Sequence, residues 1–426
     1  MTEQLTDAPE RSLPRALTPF RSPGYRRLAL ALVLSTFASG VWVVGLVWEV
    51  IRIGGGPGQL SLVSTAGAVG VLLPALLGGV VADRVPQKLV LLGVAAVELA
   101  GMALVAALST ADLTRVWHLA AVSFVIGAAM AFYYPAYSAW LPALVEERDL
   151  LAVNGFEGMV RPTVGQAVGP GVAGVVVGVA SSGAALGVAA AACLAAIVAL
   201  TLVPLTPVRR EEGPHGSVLG DLREGFGYLV RTPWLLATLL FASLMVLAMM
   251  GPLEVLVPFL VKDKLGGGPG DHALVLAAFG IGGAVGSLTM ASLRMPRRYL
   301  TVMNVGWGVG CLPLVVIGLA TEIWVVVVAA FVLGAMFAFP MVIWGTLLQR
   351  RVPPHLLGRV ASLDFFVSVS LMPVSMALAG PVSELLGLRT TFLIAGLVPG
   401  VAAVVATVAA RLPADEIAHP LRDEAA

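Results

Sequence analysis

Residues 26–48 read RRLALALVLSTFASGVWVVGLVW, two arginines followed by 21 residues without a charge. A helix needs about 20 apolar residues to cross the hydrocarbon core of a bilayer, so this stretch is long enough to span one. It is too long for the apolar core of a signal peptide and lacks a small-residue cleavage site, so it is expected to stay as an uncleaved first span. Upstream, residues 1–25 are polar and carry Pro9, Pro14, Pro19 and Pro23, which predicts a disordered tail. Downstream, Gly, Pro and charge punctuate further apolar runs at about 60–82, 89–109, 117–139, 152–179 and 184–204. After a polar stretch at 207–231, six more follow at about 234–260, 273–293, 300–320, 323–345, 360–380 and 388–410. The expected fold is an all-α membrane protein of twelve transmembrane helices in two six-helix bundles, 26–206 and 232–411, with a linker at 207–231 and a tail at 412–426.

Composition agrees: 58% of the 426 residues are hydrophobic and 12% charged, with a mean hydropathy of +0.94. No water-soluble domain has that balance. A net charge of +1 excludes a polyanion-binding surface, so no nucleic acid partner is expected. Cys193 and Cys311 fall in apolar runs of opposite halves, and no histidine has a ligand partner at metal spacing, so neither a disulfide framework nor a metal site is predicted. No phosphate-cradling loop and no nucleophile, base and orienting group in company are present, which argues against ATP as energy source and against an enzyme.

The positive-inside bias sets orientation. With the N-terminus in the cytoplasm, 20 of the 26 Lys and Arg lie on that side, five lie outside, and Arg161 falls within a span, so both termini are expected to be cytoplasmic. Val218, Leu219, Leu222, Phe226, Leu229 and Val230 have the spacing of a helix lying on the membrane surface. The halves also repeat: Arg84, Pro86 and Lys88 after the second span match Arg294, Pro296 and Arg298 after the eighth, at a constant offset of 210. Duplicated six-span units that rock about a midplane site are a transporter architecture.

The loop Gly79-Val-Val-Ala-Asp83-Arg84-Val-Pro-Gln-Lys88 resembles the signature loop of the major facilitator superfamily, although Pro86 and Gln87 stand where that pattern has Gly and Arg. Gly165-x3-Gly169-Pro170-Gly-Val-Ala-Gly174 in the fifth span resembles the antiporter motif of the superfamily's exporters, with Ala173 in a Gly place. The stretch from Trp344 through Arg359 to Asp364, together with Pro252-Leu-Glu254-Val-Leu-Val-Pro258, resembles the bacterial branch holding enterobactin exporters and macrolide-efflux proteins. The superfamily's span-four arginine is absent, Ser123 standing in its place. The resemblance implies a secondary active efflux transporter in the bacterial inner membrane. It would export an amphipathic drug, natural product or siderophore by proton antiport, with the proton gradient in place of a cofactor, membrane lipid as its surroundings and a monomer as its state. A lysolipid or lipid flippase, or a ligand-sensing protein of the same fold that moves nothing, are the alternatives.

Ionisable groups inside a span cost about 2.5–3.5 kcal/mol on insertion scales, so each needs a reason to be there. Glu254, between two prolines that free local carbonyls, is the first candidate for proton coupling, and Glu98 in the third span the second. By resemblance, Gly79, Asp83, Arg84 and Lys88 would form a cytoplasmic gate with Arg359 and Asp364, and spans one, four, seven and ten would surround the cavity. Glu157 and Arg161, four apart, read as a mutually neutralised pair on one helix face. For cargo, Tyr133, Tyr134 and Tyr137 line one face of the fourth span, Met245 and Met249 are deformable side chains of the seventh, and Phe337 adds an aromatic ring from the tenth.

Overall fold

The computed structural model describes residues 15–75, 81, 84–146, 149–206 and 218–421. Eleven of its helices are long and apolar enough to cross a membrane: Pro23–Arg52, Gln87–Thr110, Val116–Ala143, Ala152–Val179, Ser182–Thr201, Pro233–Lys264, Pro269–Ser292, Tyr299–Leu319, Ile323–Arg351, Arg359–Leu386 and Leu388–Ala409. Pro57–Leu72, of 16 residues, stands between the first two of these and completes the twelve, so Pro23–Arg52 is span 1, Pro57–Leu72 span 2, and Leu388–Ala409 span 12. Two short helices lie outside the spans, Val218–Arg231 between the halves and Leu412–Ala418 at the C-terminal end.

The helices start where local chemistry permits. Proline stands in the first turn of spans 1, 2, 7 and 8, where its missing N–H costs nothing. Ser22 and Ser181 cap spans 1 and 6 by accepting the N–H groups of Tyr25 and Ala184.

The most extensive pairings in the first half recur in the second at a shift of six spans. Spans 2 and 4 pack as 8 and 10 do, 1 and 6 as 7 and 12, 3 and 6 as 9 and 12, and 3 and 4 as 9 and 10. The two halves meet through span 2 on span 11 and span 5 on span 8, again equivalent pairs. Glycine permits the closest approaches: a methyl group at Gly70 would collide with the Phe124 carbonyl between spans 2 and 4, and one at Gly282 with the Phe331 carbonyl between spans 8 and 10.

With an even number of spans, both chain ends lie at one end of the molecule, the termini end. At the opposite, far end the halves are in tight contact. The Gly380 N–H of span 11 donates to Ser61 Oγ of span 2 at 2.8 Å. A Cβ on Gly174 of span 5 would stand 2.7 Å from that of Ala273 in span 8.

Order begins earlier than the sequence suggests. Arg15–Arg21 forms a 3-10 turn and span 1 starts at Pro23, so the expected disordered tail at 1–25 is corrected over 15–25, while residues 1–14 lie outside the described residues. The reason is aromatic anchoring: Phe20 packs edge-on against Tyr25 and Phe156 at 5.2 and 5.1 Å, and Ser22 Oγ donates to the Leu144 carbonyl. Pro19 and Pro23, read as signs of disorder, sit inside the turn and at a helix start.

The C-terminal segment also folds back. Glu416 accepts the backbone N–H groups of Leu300 and Thr301 at 3.0 and 3.1 Å and the Thr301 hydroxyl at 2.8 Å, capping span 9. Arg351 at the end of span 10 pairs with Asp415 at 2.5 Å and lies 4.6 Å from the Trp234 ring of span 7. The strap from Leu412 to His419 thereby ties three spans of one half together.

Candidate functional site

Span 7 loses its regular α-helical ladder where Glu254 stands. Ser375 of span 11 reaches into it: the Gly251 N–H donates to Ser375 Oγ at 2.7 Å, and that hydroxyl donates to the Leu247 carbonyl at 2.7 Å. A hydroxyl from span 11 thus bridges the N–H and the carbonyl that an ordinary helix joins directly. Pro252 follows, with no N–H to offer, and Pro252–Leu256 winds as a wide π turn. Leu260–Lys264 forms a second wide turn after Pro258. The turn Pro252–Leu256 packs against span 11 of its own half and span 2 of the other.

Glu254 is the half-buried residue of that turn, while Pro252, Leu253, Val255 and Leu256 are buried. Its carboxylate makes no hydrogen bond or ion pair with any described residue. A carboxyl group in an apolar span without a partner among the described residues, at a turn touching both halves, needs a reason to be there.

Span 5 carries another irregularity, in the other half. Arg161–Val168 is a wide turn in which the Gly169 N–H bonds to the Val164 carbonyl. The Gly-rich motif that follows is a packing device. A Cβ on Gly40 of span 1 would stand 2.5 Å from the Gly165 carbonyl and 2.9 Å from Pro170 Cδ, and one on Gly169 would stand 2.9 Å from the Phe37 carbonyl. Gly165, Gly169 and Pro170 bring spans 1 and 5 together, and Gly174 presses span 5 on span 8 of the other half.

At the start of the wide turn, Arg161 donates from Nε and Nη2 to one oxygen of Glu157, Oε1, at 3.1 and 2.7 Å. Its guanidinium lies 5.3 Å from the centre of the Tyr134 ring of span 4.

The remaining candidates divide. Gly79 and Asp83 lie outside the described residues. Arg84 is exposed and holds no hydrogen bond or ion pair with any described residue, while Asp364 accepts from Trp344 Nε1 at 2.9 Å and Ser368 Oγ at 3.2 Å within its own half. Arg359 pairs with Glu224 of the helix Val218–Arg231. The structure therefore does not join Arg84 to Asp364. Lys88 departs from the expected gate for a clear reason: its ammonium donates to the Thr201 and Val203 carbonyls at 2.8 and 2.5 Å, beside Arg27 on Leu202, and so caps the C-terminal end of span 6.

Among the cargo candidates, Tyr133 is half-buried and Tyr134 is 59% exposed, but Tyr137 is sealed in the core of its half, stacked on Tyr133 at 6.0 Å. Met245 and Met249 are core residues too, Met249 Sδ lying 4.0 Å from Cys311 Sγ of span 9. Tyr137, Met245 and Met249 are thus corrected from cargo lining to packing, because helical spacing does not say which face meets a neighbour. Phe337 is partly buried and its carbonyl accepts from Trp307 Nε1.

Glu98 lies apart from Glu254. It is buried and shares a face of span 3 with Met102, whose Sδ lies 3.7 Å from Cys193 of span 6. That position is inside one half, away from the junction between them.

Two elements escaped the sequence reading. Ser375 is a lone serine in an apolar run, and nothing in its spacing marks it as a ladder breaker. Glu49, at the far end of span 1, is fully buried and accepts from Arg52, Ser109 Oγ at 2.9 Å and Ser182 Oγ at 2.6 Å, tying spans 1, 3 and 6. The Glu-x2-Arg spacing at a span end was the available signal.

A sequence profile described as "Transmembrane secretion effector" matches residues 15–423. Macrolide efflux protein A of Streptococcus pyogenes is 23% identical over 345 residues, covering 80% of this chain and 85% of that protein. The multidrug efflux pump Tap of Mycobacterium tuberculosis is 28% identical over 412 residues, covering 92% and 94%. Among solved structures, the nucleoside transporter NupG superposes with a TM-score of 0.71 at 16% identity, over 90% of this chain and 98% of that one. A POT family transporter in complex with 5-aminolevulinic acid gives 0.71 at 13% identity, over 92% and 96%. At these identities the structural likeness speaks for the fold alone.

Proposed function

Since the chain belongs to the transmembrane secretion effector family of the major facilitator superfamily, we propose that it is a secondary active efflux transporter, driven by proton antiport, for an amphipathic drug, natural product or siderophore. The observation that carries this reading is the carboxylate of Glu254, without a partner among the described residues, in a wide turn of span 7 that touches both halves. The macrolide and multidrug efflux relatives support export and an amphipathic cargo. The distribution of Lys and Arg supports placement in a bacterial inner membrane with both termini cytoplasmic, and on that orientation the closed far end is the outer one.

In this mechanism a proton reaches Glu254 when the halves part at the outer end, and its arrival favours cargo release and return. Loss of the proton to the cytoplasm restores a carboxylate ready for the next cargo. One proton moving inward down about 100 mV yields about 2.3 kcal/mol. At about 1.4 kcal/mol per tenfold, that sustains roughly a fortyfold cargo gradient.

The test is reconstitution in liposomes under an imposed proton gradient, following internal pH on addition of a macrolide, a catecholate siderophore or a lysolipid, beside Glu254→Gln. A cargo-dependent pH change lost in the variant is expected. Cargo movement with silent pH would remove the antiport, and normal pumping by Glu254→Gln would remove Glu254 from it.

A further inference from the structure

We propose that Tyr134 and Glu157 form a subsite for an organic cation in the wall of the N-terminal half, and that Arg161 occupies this subsite as a placeholder until the cargo's cationic group takes over. The inference rests on reading the space between the halves as the cargo path, and it names the chemical class of cargo.

The geometry is that of a cation site already filled by the protein's own cation. A guanidinium stands 5.3 Å from an aromatic centroid while paired with a carboxylate at 2.7 Å. These two contacts, a ring face and a carboxylate, are what an ammonium or phosphonium group seeks in a desolvated pocket.

The occupant and the receptor differ in exposure. The Glu157 side chain is 10% exposed and that of Arg161 47% exposed. A nearly buried carboxylate needs a cation beside it, so Glu157 exchanges one cation for another more readily than it gives one up. Arg161, by contrast, is half in the open at the start of a wide turn, and both its bonds go to a single oxygen of Glu157. Withdrawal of the side chain frees the Tyr134 face and Glu157 together.

Arg161 does not point to lipid. It lies one helical turn before Gly165, on the face of span 5 that meets Thr36 of span 1, while Pro162 and Gln166, on the adjoining face, approach Gly280 of span 8. Among the described residues, phenols of neighbouring spans stand near Glu157, Tyr25 of span 1 and Tyr133 and Tyr137 of span 4, with the Tyr25 and Tyr137 hydroxyls buried and without hydrogen-bond partners there. None of these carries a competing positive charge. Across the junction, Glu254 has no cationic partner among the described residues and Asp364 is held by Trp344 and Ser368, so those carboxylates offer an arriving cation no repulsion.

The probe pair is tetraphenylphosphonium and tetraphenylborate, ions of nearly the same shape and opposite charge, titrated by calorimetry into the purified full-length protein in detergent without a proton gradient. The phosphonium is expected to bind, and Arg161→Gln to bind it about tenfold more tightly because the placeholder is gone. The gain disappears in Glu157→Gln/Arg161→Gln, and Tyr134→Leu weakens binding by roughly tenfold in the otherwise native chain. A merely structural ion pair would give weaker binding, not tighter, in Arg161→Gln. Equal or weaker phosphonium binding by that variant, or tetraphenylborate binding that it abolishes, would overturn the proposal. If thermal unfolding shows that Arg161→Gln does not fold, Tyr134→Leu decides, and unchanged phosphonium binding there overturns the proposal as well. A protein that binds as described but moves no protons in liposomes would sink the antiport and leave this subsite standing.

Discussion

Ser375 Oγ sits in the backbone ladder of span 7, accepting the Gly251 N–H and passing its own proton to the Leu247 carbonyl, each at 2.7 Å. One side chain of span 11 thereby holds span 7 immediately before the wide turn that carries Glu254. A methyl group at Gly251 would collide with the Ser375 carbonyl, so Gly251→Ala is expected to cost about 1–3 kcal/mol through overpacking. Ser375→Ala removes two hydrogen bonds without adding bulk and should cost about 1–2 kcal/mol, since the freed Gly251 N–H and Leu247 carbonyl can rejoin. Thermal unfolding of the purified protein ranks the two. A larger loss from Ser375→Ala would mean that the span cannot close its own ladder.

The far-end closure is held where Gly380 donates to Ser61 Oγ. A Cβ at Gly380 would stand 2.7 Å from Gly58 Cα of span 2, so Gly380→Leu cannot be seated and should wedge the far end apart and reduce transport in liposomes. Full transport by a folded Gly380→Leu protein would show that the halves need not close here.

Lys88 separates a cap from a gate. If its ammonium serves the end of span 6, Lys88→Ala lowers stability by about 0.5–1 kcal/mol and leaves transport per folded molecule near native. Gel-filtration yield and thermal unfolding read the first quantity, and the liposome assay the second. Loss of transport with stability intact would return Lys88 to the gate.

The twelve spans and their duplication were legible because hydropathy and punctuation act over some twenty residues at a time, and few alternatives satisfy them. The signature loop and the Gly-rich motif were legible as sequence, but not what they touch: only packing shows Gly165 against span 1 and Gly174 against span 8. Glu254 stood out because a carboxylate between two prolines in an apolar run has few structural uses. Tyr137, Met245 and Met249 misled because periodicity gives a face and not its neighbour. Ser375 and Glu416 act on backbone groups far along the chain, and no local pattern marks such a partner.

Glu416 supports a further expectation. Its carboxylate takes three donors of span 9, and Arg351 ties Asp415 to span 10. Glu416→Ala should lower the thermal midpoint by the equivalent of about 2–3 kcal/mol, the range for hydrogen bonds to a charged group, with Thr301→Val costing less. A truncation after Arg411 should reproduce the Glu416→Ala loss and exceed it by the Asp415 contribution. A truncated protein as stable as the native one would show that the strap rests on the bundle without holding it.

The same strap imposes an order on biogenesis. The first-turn amides of span 9 find their acceptor in a residue more than a hundred positions later. While span 9 enters the bilayer, and even while span 12 is being made, that acceptor has not been synthesised. The C-terminal half can therefore complete its lock only after its last span exists, and an insertion placed before Glu416 would act on assembly before it acted on transport.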